Sequence, residues 1–251
     1  MSAGVPAPEA SASRPGTVRV GVAIPAAGVG RRMGGLRKPW LELDGRPLLA
    51  HALDPFLAHP GVVAIRVALG PEDASDPPPW LLDADGRVEV VAGGDTRAES
   101  VREAIRALPA DVDIIVIHDA ARPLVTRSMV GLCIEAALGG VGAVVGCPAT
   151  DTMKQVAPDG RIVGTPDRAG LWHAQTPQAF PAELARRAFE ALEDPSSVTD
   201  DASVVERVGA TVIMVEGSPR NLKVTRPEDL PLAALHLRLA RGEAPHGGGT
   251  P

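Results

Sequence analysis

Tyrosine is absent from the 251-residue chain, and the other aromatic residues are few, with three Trp and three Phe. A core must therefore be built mainly from Val, Ile, Leu and Ala. The shortage also argues against a protein that stacks single-stranded bases on aromatic rings. Acidic residues outnumber basic ones by 31 to 25, a formal net charge of −6, so we do not expect nucleic acid to be bound through bulk positive charge. Any anion must be held by local clusters of Arg and Lys.

Long apolar runs are missing as well. No stretch approaches the roughly 18 to 20 residues that span a bilayer, and the N-terminus lacks a basic region followed by an apolar one. We therefore expect a soluble, cytoplasmic protein with no membrane partner; a short plastid-type transit peptide is the alternative for the first residues. The two cysteines, Cys133 and Cys147, are far from CxxC spacing and are expected to be buried free thiols, with a disulfide or redox pair as the alternative. The six histidines form no zinc-enzyme motif.

The chain is organised as one domain over residues 18–240, between tails at 1–17 and 241–251 that we expect to be disordered. Short β-branched runs inside it are typical of strands buried on both faces: Val18 to Ile24, Val62 to Leu69, Val88 to Val91, Ile114 to Ile117 and Gly142 to Gly146. Helical patterns alternate with them. This order predicts an α/β, Rossmann-like fold with a mainly parallel sheet.

Three helices are predicted with different strength. Thr96-x-x-Glu99 is a capping box that opens a helix over Arg97 to Leu108, and Thr225-x-x-Glu228 is read in the same way for the last helix. A helix over Leu48 to Ala58 is less well supported because Pro55 lies inside it. In such a sheet ligands bind beyond the carboxyl ends of the strands, so we expect the site in the loops after Ile24, Leu69, Val91 and Ile117.

Residues 150–168 interrupt the alternation. They predict a β-hairpin with strands over Met153 to Val156 and Arg161 to Val163 and a turn at Pro158-Asp159-Gly160. An isolated hairpin is marginal in water and needs a surface to pack on. That surface is either a second subunit or the hairpin's own domain.

The loop after the first strand reads Pro25-Ala26-Ala27-Gly28-Val29-Gly30-Arg31-Arg32-Met33. Small residues let backbone N–H groups approach a polyphosphate, and arginines can neutralise it. The loop does not match two better-known phosphate motifs. Met33 stands in place of the third glycine of GxGxxG, which argues against a dinucleotide-binding loop, and Leu36-Arg37 stands in place of Lys-Ser/Thr, which argues against a P-loop. A glycine-rich turn with solvated arginines is the alternative interpretation.

Two further loops carry polar residues. Asp119 follows the fourth strand and suits Mg²⁺ held together with phosphate oxygens, unless it is structural. His118 beside it is interpreted as a supporting or core residue, not a general base. Gly93-Gly94-Asp95-Thr96-Arg97 combines backbone donors with a helix start that could contact a base or ribose, although Asp95 and Thr96 could serve only as caps. Taken singly, Lys38, Arg168 and Lys223 read as solvated charges, and Thr152 and Thr199 as turn hydroxyls.

Together these segments resemble one enzyme family. The first loop with Lys38 is joined, in order, by Gly93 to Val101 with its Gly-Gly-Asp-x-Arg start, His118 to Pro123, Asp151 to Lys154, Asp167-Arg168, Leu171 to Gln178, Thr199-Asp200 and Asn221 to Thr225. From about Val18 to Ala240 the chain is similar to the 2-C-methyl-D-erythritol 4-phosphate cytidylyltransferases. The combination is specific, whereas the first loop alone is shared by many nucleotidyltransferases.

The resemblance implies transfer of a cytidylyl group from CTP to 2-C-methyl-D-erythritol 4-phosphate in the non-mevalonate isoprenoid pathway, by a homodimer whose hairpin arm reaches the neighbouring site. It also implies residue roles. These are CTP binding by Ala26, Ala27, Gly28, Val29, Gly30, Gly94, Asp95 and Ser100, Mg²⁺ or another divalent cation on Asp119, transition-state stabilisation by Arg32 and Lys38, positioning of the acceptor phosphate by Arg168 and Lys223, and lining of its pocket by Arg122, Thr152 and Thr199.

Two departures from the family pattern stand out. Arg37-Lys38-Pro39-Trp40 reverses the usual Pro-Lys order, which leaves open whether Arg37 shares the role of Lys38, and Asp201 stands where Glu is common. Three other functions stay open on the residues alone: a cytidylyltransferase that uses ribitol phosphate, a nicotinamide-dependent oxidoreductase, and a nucleotide-binding module without catalysis.

Overall fold

A computed structural model describes residues 17–28 and 38–243. The strands, in chain order, are β1 (Val20–Pro25), β2 (Glu42–Leu43), β3 (Arg46–Pro47), β4 (Val62–Leu69), β5 (Val88–Ala92), β6 (Ile114–Ile117), β7 (Gly142–Pro148), β8 (Gln155–Val156), β9 (Ile162–Gly164), β10 (Trp172–Pro181) and β11 (Val212–Glu216). The helices are α1 (Leu48–Leu57), α2 (Pro71–Ser75), α3 (Pro79–Leu82), α4 (Arg97–Ala107), α5 (Arg127–Leu138), α6 (Ala182–Glu190), α7 (Asp201–Glu206) and α8 (Asp229–Ala240).

Seven of these strands form one central sheet in the order β11-β7-β10-β6-β1-β4-β5. Strand β10 runs antiparallel to its neighbours β6 and β7, and the other pairings in this sheet are parallel. The predicted mainly parallel α/β sheet is therefore confirmed. Strands β10 and β11 were not among the sequence predictions, because Gln175, Thr176 and Gln178 make the first of them look polar although the sheet buries them.

The sheet is covered on both faces, as the apolar strand sequences require. One core cluster joins alternate strand residues such as Val22 and Ile65 to α1, α3 and α5, and the other joins Ala23 and Ile115 to α4, α6 and α7. All four residues of β6 are buried. The core is aliphatic, with Phe56, Phe180 and Phe189 as its large aromatic side chains.

The predicted helix starts fared differently. Thr96 and Glu99 form the expected capping box, with Thr96 Oγ1 accepting from the Glu99 N–H at 3.1 Å and Glu99 Oε2 accepting from the Thr96 N–H at 2.7 Å. The prediction for the last helix was wrong in its first turn: α8 begins at Asp229, whose carboxylate accepts hydrogen bonds from the Thr225 and Arg226 N–H groups. Helix α1 forms in spite of Pro55.

The short sheet β8-β9 lies where the hairpin was predicted, with Val156 opposite Ile162. Residues 241–243, which the sequence placed in a tail, form a turn after α8, where Arg241 pairs with Asp44. Cys133 is a buried free thiol and Cys147 is a partly buried one. Among the described residues, no helix combines the length and apolar character needed to cross a bilayer.

Candidate functional site

A cavity of about 390 Å³ lies at the carboxyl ends of the parallel strands. Its walls come from the loops after β1, β5 and β6, three of the four loops in which the site was expected, and from the segment before α8. The lining residues are Pro25, Ala26, Ala27, Gly28, Pro39, Gly94, Asp95, Thr96, Arg97, Ser100, Asp119, Ala120, Ala121 and Lys223. Eight of the predicted site residues are thus brought together: Ala26, Ala27, Gly28, Gly94, Asp95, Ser100, Asp119 and Lys223.

Not every predicted site residue meets this cavity. Val29, Gly30 and Arg32 fall outside the described residues, as does the side chain of Lys38. Arg168, Thr152 and Thr199 are exposed and are not among the lining residues. The Arg168 guanidinium donates to the Thr150 carbonyl at the base of the hairpin. The roles predicted for these residues remain predictions.

Two glycines of the loop after β5 allow close contacts: Gly93 approaches the loop after β1, and Gly94 approaches the first turn of α4. A Cβ on Gly93 would lie 2.7 Å from the Ala27 Cβ, and a Cβ on Gly94 would lie 2.3 Å from the Glu99 Cβ. Both distances are shorter than real carbon contacts. The Ser100 hydroxyl, which is buried, accepts from the Gly94 N–H at 3.2 Å and donates to the Thr96 carbonyl at 3.0 Å. Ser100 therefore shapes the loop that faces the cavity.

Asp119 is the central carboxylate of the cavity. It is 6% exposed, and positive groups surround it: Arg97 Nε lies 2.9 Å from Oδ1, Lys223 Nζ lies 2.7 Å from Oδ2, and Arg122 Nε lies 3.8 Å from Oδ2. Burial alone would raise the pKa of the Asp119 carboxyl, but these cations outweigh burial and hold that pKa well below its ordinary value. Asp119 stays ionised throughout the neutral range.

Arg122, another predicted site residue, contacts Asp119 but is not among the residues that line the cavity. Its Nη1 donates to the Asn221 carbonyl at 2.8 Å. Its buried Nε has no hydrogen-bond partner within residues 17–28 and 38–243, since 3.8 Å to Asp119 is a charge contact only. The bond to Asn221 ties the loop after β6 to the segment that carries Lys223. Asn221 is itself fully buried and donates to the Thr176 carbonyl at 2.9 Å. An acceptor such as a phosphate oxygen would satisfy the free Arg122 N–H.

His118 supports Asp119 from inside the fold. The Thr176 hydroxyl accepts the Asp119 N–H at 3.0 Å and lies 2.9 Å from His118 Nδ1, while His118 Nε2 lies 3.2 Å from the Arg122 carbonyl. Because a carbonyl only accepts, Nε2 carries the proton and Nδ1 accepts from the Thr176 hydroxyl. Burial lowers the pKa of His118 to about 4. The neutral ring has both nitrogens engaged, so His118 is a supporting residue, as predicted, and not a general base.

Sequence reasoning gave no role to Arg97, Asp201, Thr176 or Asn221. Arg97 forms a two-pronged ion pair with Asp201, at 2.7 Å for each of the two bonds. Asp201 opens α7, which lies far along the chain from α4, so no local pattern shows that it faces Arg97. One signal could have pointed to a role for Arg97. It is the first residue of a well-capped helix, and it follows the Gly93-Gly94-Asp95 loop after a single residue, Thr96.

Comparison with known proteins identifies the family. Residues 20–239 match the family model described as 2-C-methyl-D-erythritol 4-phosphate cytidylyltransferase. A protein of that name from Aeromonas hydrophila is 43% identical over 238 residues, covering 92% of this chain and 94% of its own length.

Solved structures agree with this match. The 4-diphosphocytidyl-2C-methyl-D-erythritol synthase of Anaerococcus prevotii has a TM-score of 0.78 at 29% identity, covering 88% of this chain and 97% of its own. The 2-C-methyl-D-erythritol 4-phosphate cytidylyltransferase of Thermus thermophilus has a TM-score of 0.72 at 33% identity, covering 89% and 100%. This chain therefore belongs to the 2-C-methyl-D-erythritol 4-phosphate cytidylyltransferase family, and it is a nucleotidyltransferase.

Proposed function

We propose that this chain transfers the cytidylyl group of CTP to 2-C-methyl-D-erythritol 4-phosphate, giving 4-diphosphocytidyl-2-C-methyl-D-erythritol and pyrophosphate in the cytoplasm. The observation that carries the proposal is that small-residue backbone, Asp119 and Lys223 line the same cavity. Family membership argues against the nicotinamide-dependent oxidoreductase and the non-catalytic module.

The reaction needs positioning and charge neutralisation more than proton transfer. An oxygen of the acceptor phosphate attacks the α-phosphorus of CTP, the new P–O bond forms, and the bond to the β-phosphate oxygen breaks, so that pyrophosphate leaves with the electron pair. A phosphate monoester has a second pKa of about 6 and is mostly dianionic at neutral pH. No general base is required, in agreement with the neutral and fully bonded His118.

The roles proposed in CTP binding fall to the loops that line the cavity. Backbone N–H groups of Ala26 to Gly30 would hold the phosphates, and Gly94, Asp95 and Ser100 would contact the cytidine. Arg32 and Lys38 would stabilise charge that develops in the transition state. Lys223 and Arg168 would hold the acceptor phosphate, with Arg122, Thr152 and Thr199 beside it.

A divalent cation fits Asp119 as one ligand among phosphate oxygens and waters. Within residues 17–28 and 38–243, no group of three or more His, Cys, Asp or Glu side chains is arranged to hold a metal ion, so protein ligands alone would not make the site. Mg²⁺ is commonly bound through one or two carboxylates plus substrate phosphates, and Asp119 is an ionised carboxylate that faces the cavity. The cation would neutralise phosphate charge.

A homodimer completes the proposal. The hairpin exposes the apolar side chains of Met153, Val156, Ile162 and Val163, the last three by more than half. Exposed apolar groups on a two-stranded ribbon support a covering surface. A second subunit there would also explain why Arg168 and Thr152 lie away from the cavity of their own chain.

The direct test is pyrophosphate release from the purified chain with CTP and Mg²⁺. We expect turnover with 2-C-methyl-D-erythritol 4-phosphate and none when the acceptor or the cation is left out. Parallel reactions with ribitol phosphate test the acceptor, and reactions with ATP or UTP test the base. Faster turnover with ribitol phosphate would replace the proposed acceptor, and the absence of turnover with either acceptor would refute the proposal.

A further inference from the structure

We propose that Arg97 is a positioning residue for Asp119. The Arg97 guanidinium is held in place by Asp201 and bonds to one carboxylate oxygen of Asp119. The other oxygen of Asp119 is left to bind either Lys223 or the cation that accompanies CTP. The inference rests on the proposed function, because it takes Asp119 as the cation ligand. It assigns a role to Arg97 and Asp201 and a resting partner to Lys223.

The geometry of the guanidinium is the first argument. Arg97 is the first residue of α4, and Nη1 and Nη2 each donate to one carboxylate oxygen of Asp201, both at 2.7 Å. The Nε–H group of the same guanidinium donates to Asp119 Oδ1 at 2.9 Å. Because a guanidinium is planar and its donors form a fixed fork, the bond to Asp201 determines where Nε points. The side-chain rotamer of Asp119 is thereby restrained.

Asp201, the residue that holds the Arg97 guanidinium, is itself fixed in place by the fold. Asp201 is 1% exposed and begins α7. The next residue, Ala202, donates its N–H to Gln178 Oε1 on strand β10 at 2.8 Å, and Asp200 caps α7 by accepting from the Ser203 N–H at 3.1 Å. The Asp201 carboxylate is therefore fixed to the central sheet, and the chain of contacts runs from β10 through Arg97 to Asp119.

The two oxygens of Asp119 consequently differ. Oδ1 is bonded to Arg97, which is locked by a buried carboxylate, whereas Oδ2 is bonded to Lys223, whose side chain is 39% exposed and stands on a flexible stem. Lysine presents a point charge with rotatable donors and is the easier partner to displace. A cation that takes Oδ2 frees the Lys223 ammonium for the acceptor phosphate. Binding of CTP with its cation would thus prepare the second substrate site.

The chain offers matched variants for a test. Asp201→Asn keeps the volume but removes the charge that holds Arg97, and Arg97→Lys keeps the charge near Asp119 but removes the fork. Asp201→Glu restores the carboxylate and introduces the residue common in the family. Arg106→Gln is the control: Arg106 lies on the same helix and forms a similar fork with Glu190, at 2.6 and 2.7 Å, outside the cavity.

The readout is binding in the absence of acceptor, so that no turnover occurs. Mn²⁺ is titrated into enzyme with CTP, and free Mn²⁺ is followed by electron paramagnetic resonance; CTP binding is measured separately in EDTA. Residues that orient a metal ligand typically contribute about 10- to 100-fold to metal affinity, so we expect that loss in Asp201→Asn and Arg97→Lys. The affinity of these two variants for CTP without metal should stay near that of the wild type. The Asp201→Glu variant, which keeps the carboxylate, should bind Mn²⁺ with an affinity near that of the wild type.

Unchanged Mn²⁺ affinity in folded Asp201→Asn or Arg97→Lys would overturn the inference. An equal loss of metal-free CTP affinity would also overturn it, since a role in shaping the cavity alone would have that effect. If Asp201→Asn fails to fold, Arg97→Lys decides. Absence of Mn²⁺-dependent CTP binding in the wild type would instead refute the cation site of the proposed function, which distinguishes the two failures.

Discussion

The Thr176 hydroxyl lies 2.9 Å from His118 Nδ1 and links this buried imidazole to the Asp119 backbone N–H. The contact connects β10 to the loop that carries the central carboxylate, and burial of the ring lowers its pKa and keeps it neutral at neutral pH. The lowered pKa also gives folding stability a dependence on pH.

The first prediction concerns that dependence. The folded pKa of His118 is lowered by burial to about 4 from 6.5, so between these values the unfolded chain binds a proton that the folded chain does not. Stability should therefore fall as pH falls, by about 2 kcal/mol between pH 7 and pH 5 from this group alone. Urea unfolding of the wild type and of His118→Gln across this range would measure the difference in slope. Parallel profiles would show that His118 does not contribute in this way.

A second prediction concerns the close approach at Gly94. Gly94→Ala places a Cβ 2.3 Å from the Glu99 Cβ, so the capped start of α4 must shift and the cavity wall with it. We expect weaker CTP binding by calorimetry, by about tenfold or more, as for other displaced binding groups. The control is Gly131→Ala on α5, where an added Cβ meets no atom of the described part of the chain within 4 Å and should stabilise the helix by about 0.5–1 kcal/mol. Equal CTP affinity in both variants would contradict the proposed contact.

A third prediction concerns Arg32 and Lys38. Replacing either by Ala should lower turnover by at least about tenfold with folding intact, because each would stabilise charge that develops in the transition state. Arg187→Ala, an exposed position on α6, is the control for loss of a surface charge. Steady-state rates of pyrophosphate release provide the measurement. Near-normal turnover in both variants would remove these residues from the mechanism.

A fourth prediction concerns the subunit boundary. If Arg168 serves the neighbouring site, a dimer of one Arg168→Ala chain and one Lys223→Ala chain contains one intact site. A 1:1 mixture of the two inactive variants should then regain about a quarter of the wild-type rate after random exchange. No recovery would place Arg168 in its own chain's site, and light scattering that shows a monomer would exclude the arrangement.

Local patterns were enough to predict much of the fold. The buried strands at Val62–Leu69 and Ile114–Ile117 have the predicted bounds, and the Thr96–Glu99 capping box forms as expected, because continuous apolar runs and short-range hydrogen bonds are written in neighbouring residues. The start of α8 could not be predicted in this way. The sequence pattern predicted a capping box between Thr225 and Glu228, whereas the Asp229 carboxylate accepts from the Thr225 and Arg226 N–H groups.

The candidate site was also predicted only in part. The resemblance predicted Asp119 and Lys223 as site residues, and both line the same cavity. The sequence did not show that Arg97 bonds to Asp119. Nor did it show that Asp201 holds Arg97, since these two residues are separated by 104 positions and only folding aligns them. Polar residues inside β10 were hard to assign for a related reason, because their partners come from three different loops.

The most direct test of the whole account is a crystal structure of this chain with CTP and Mg²⁺. The account predicts the triphosphate between Gly28 and Asp119, with the cation at Asp119 and the cytosine against Gly94 and Asp95. A nucleotide bound in any other place, with this cavity left to solvent, would contradict it.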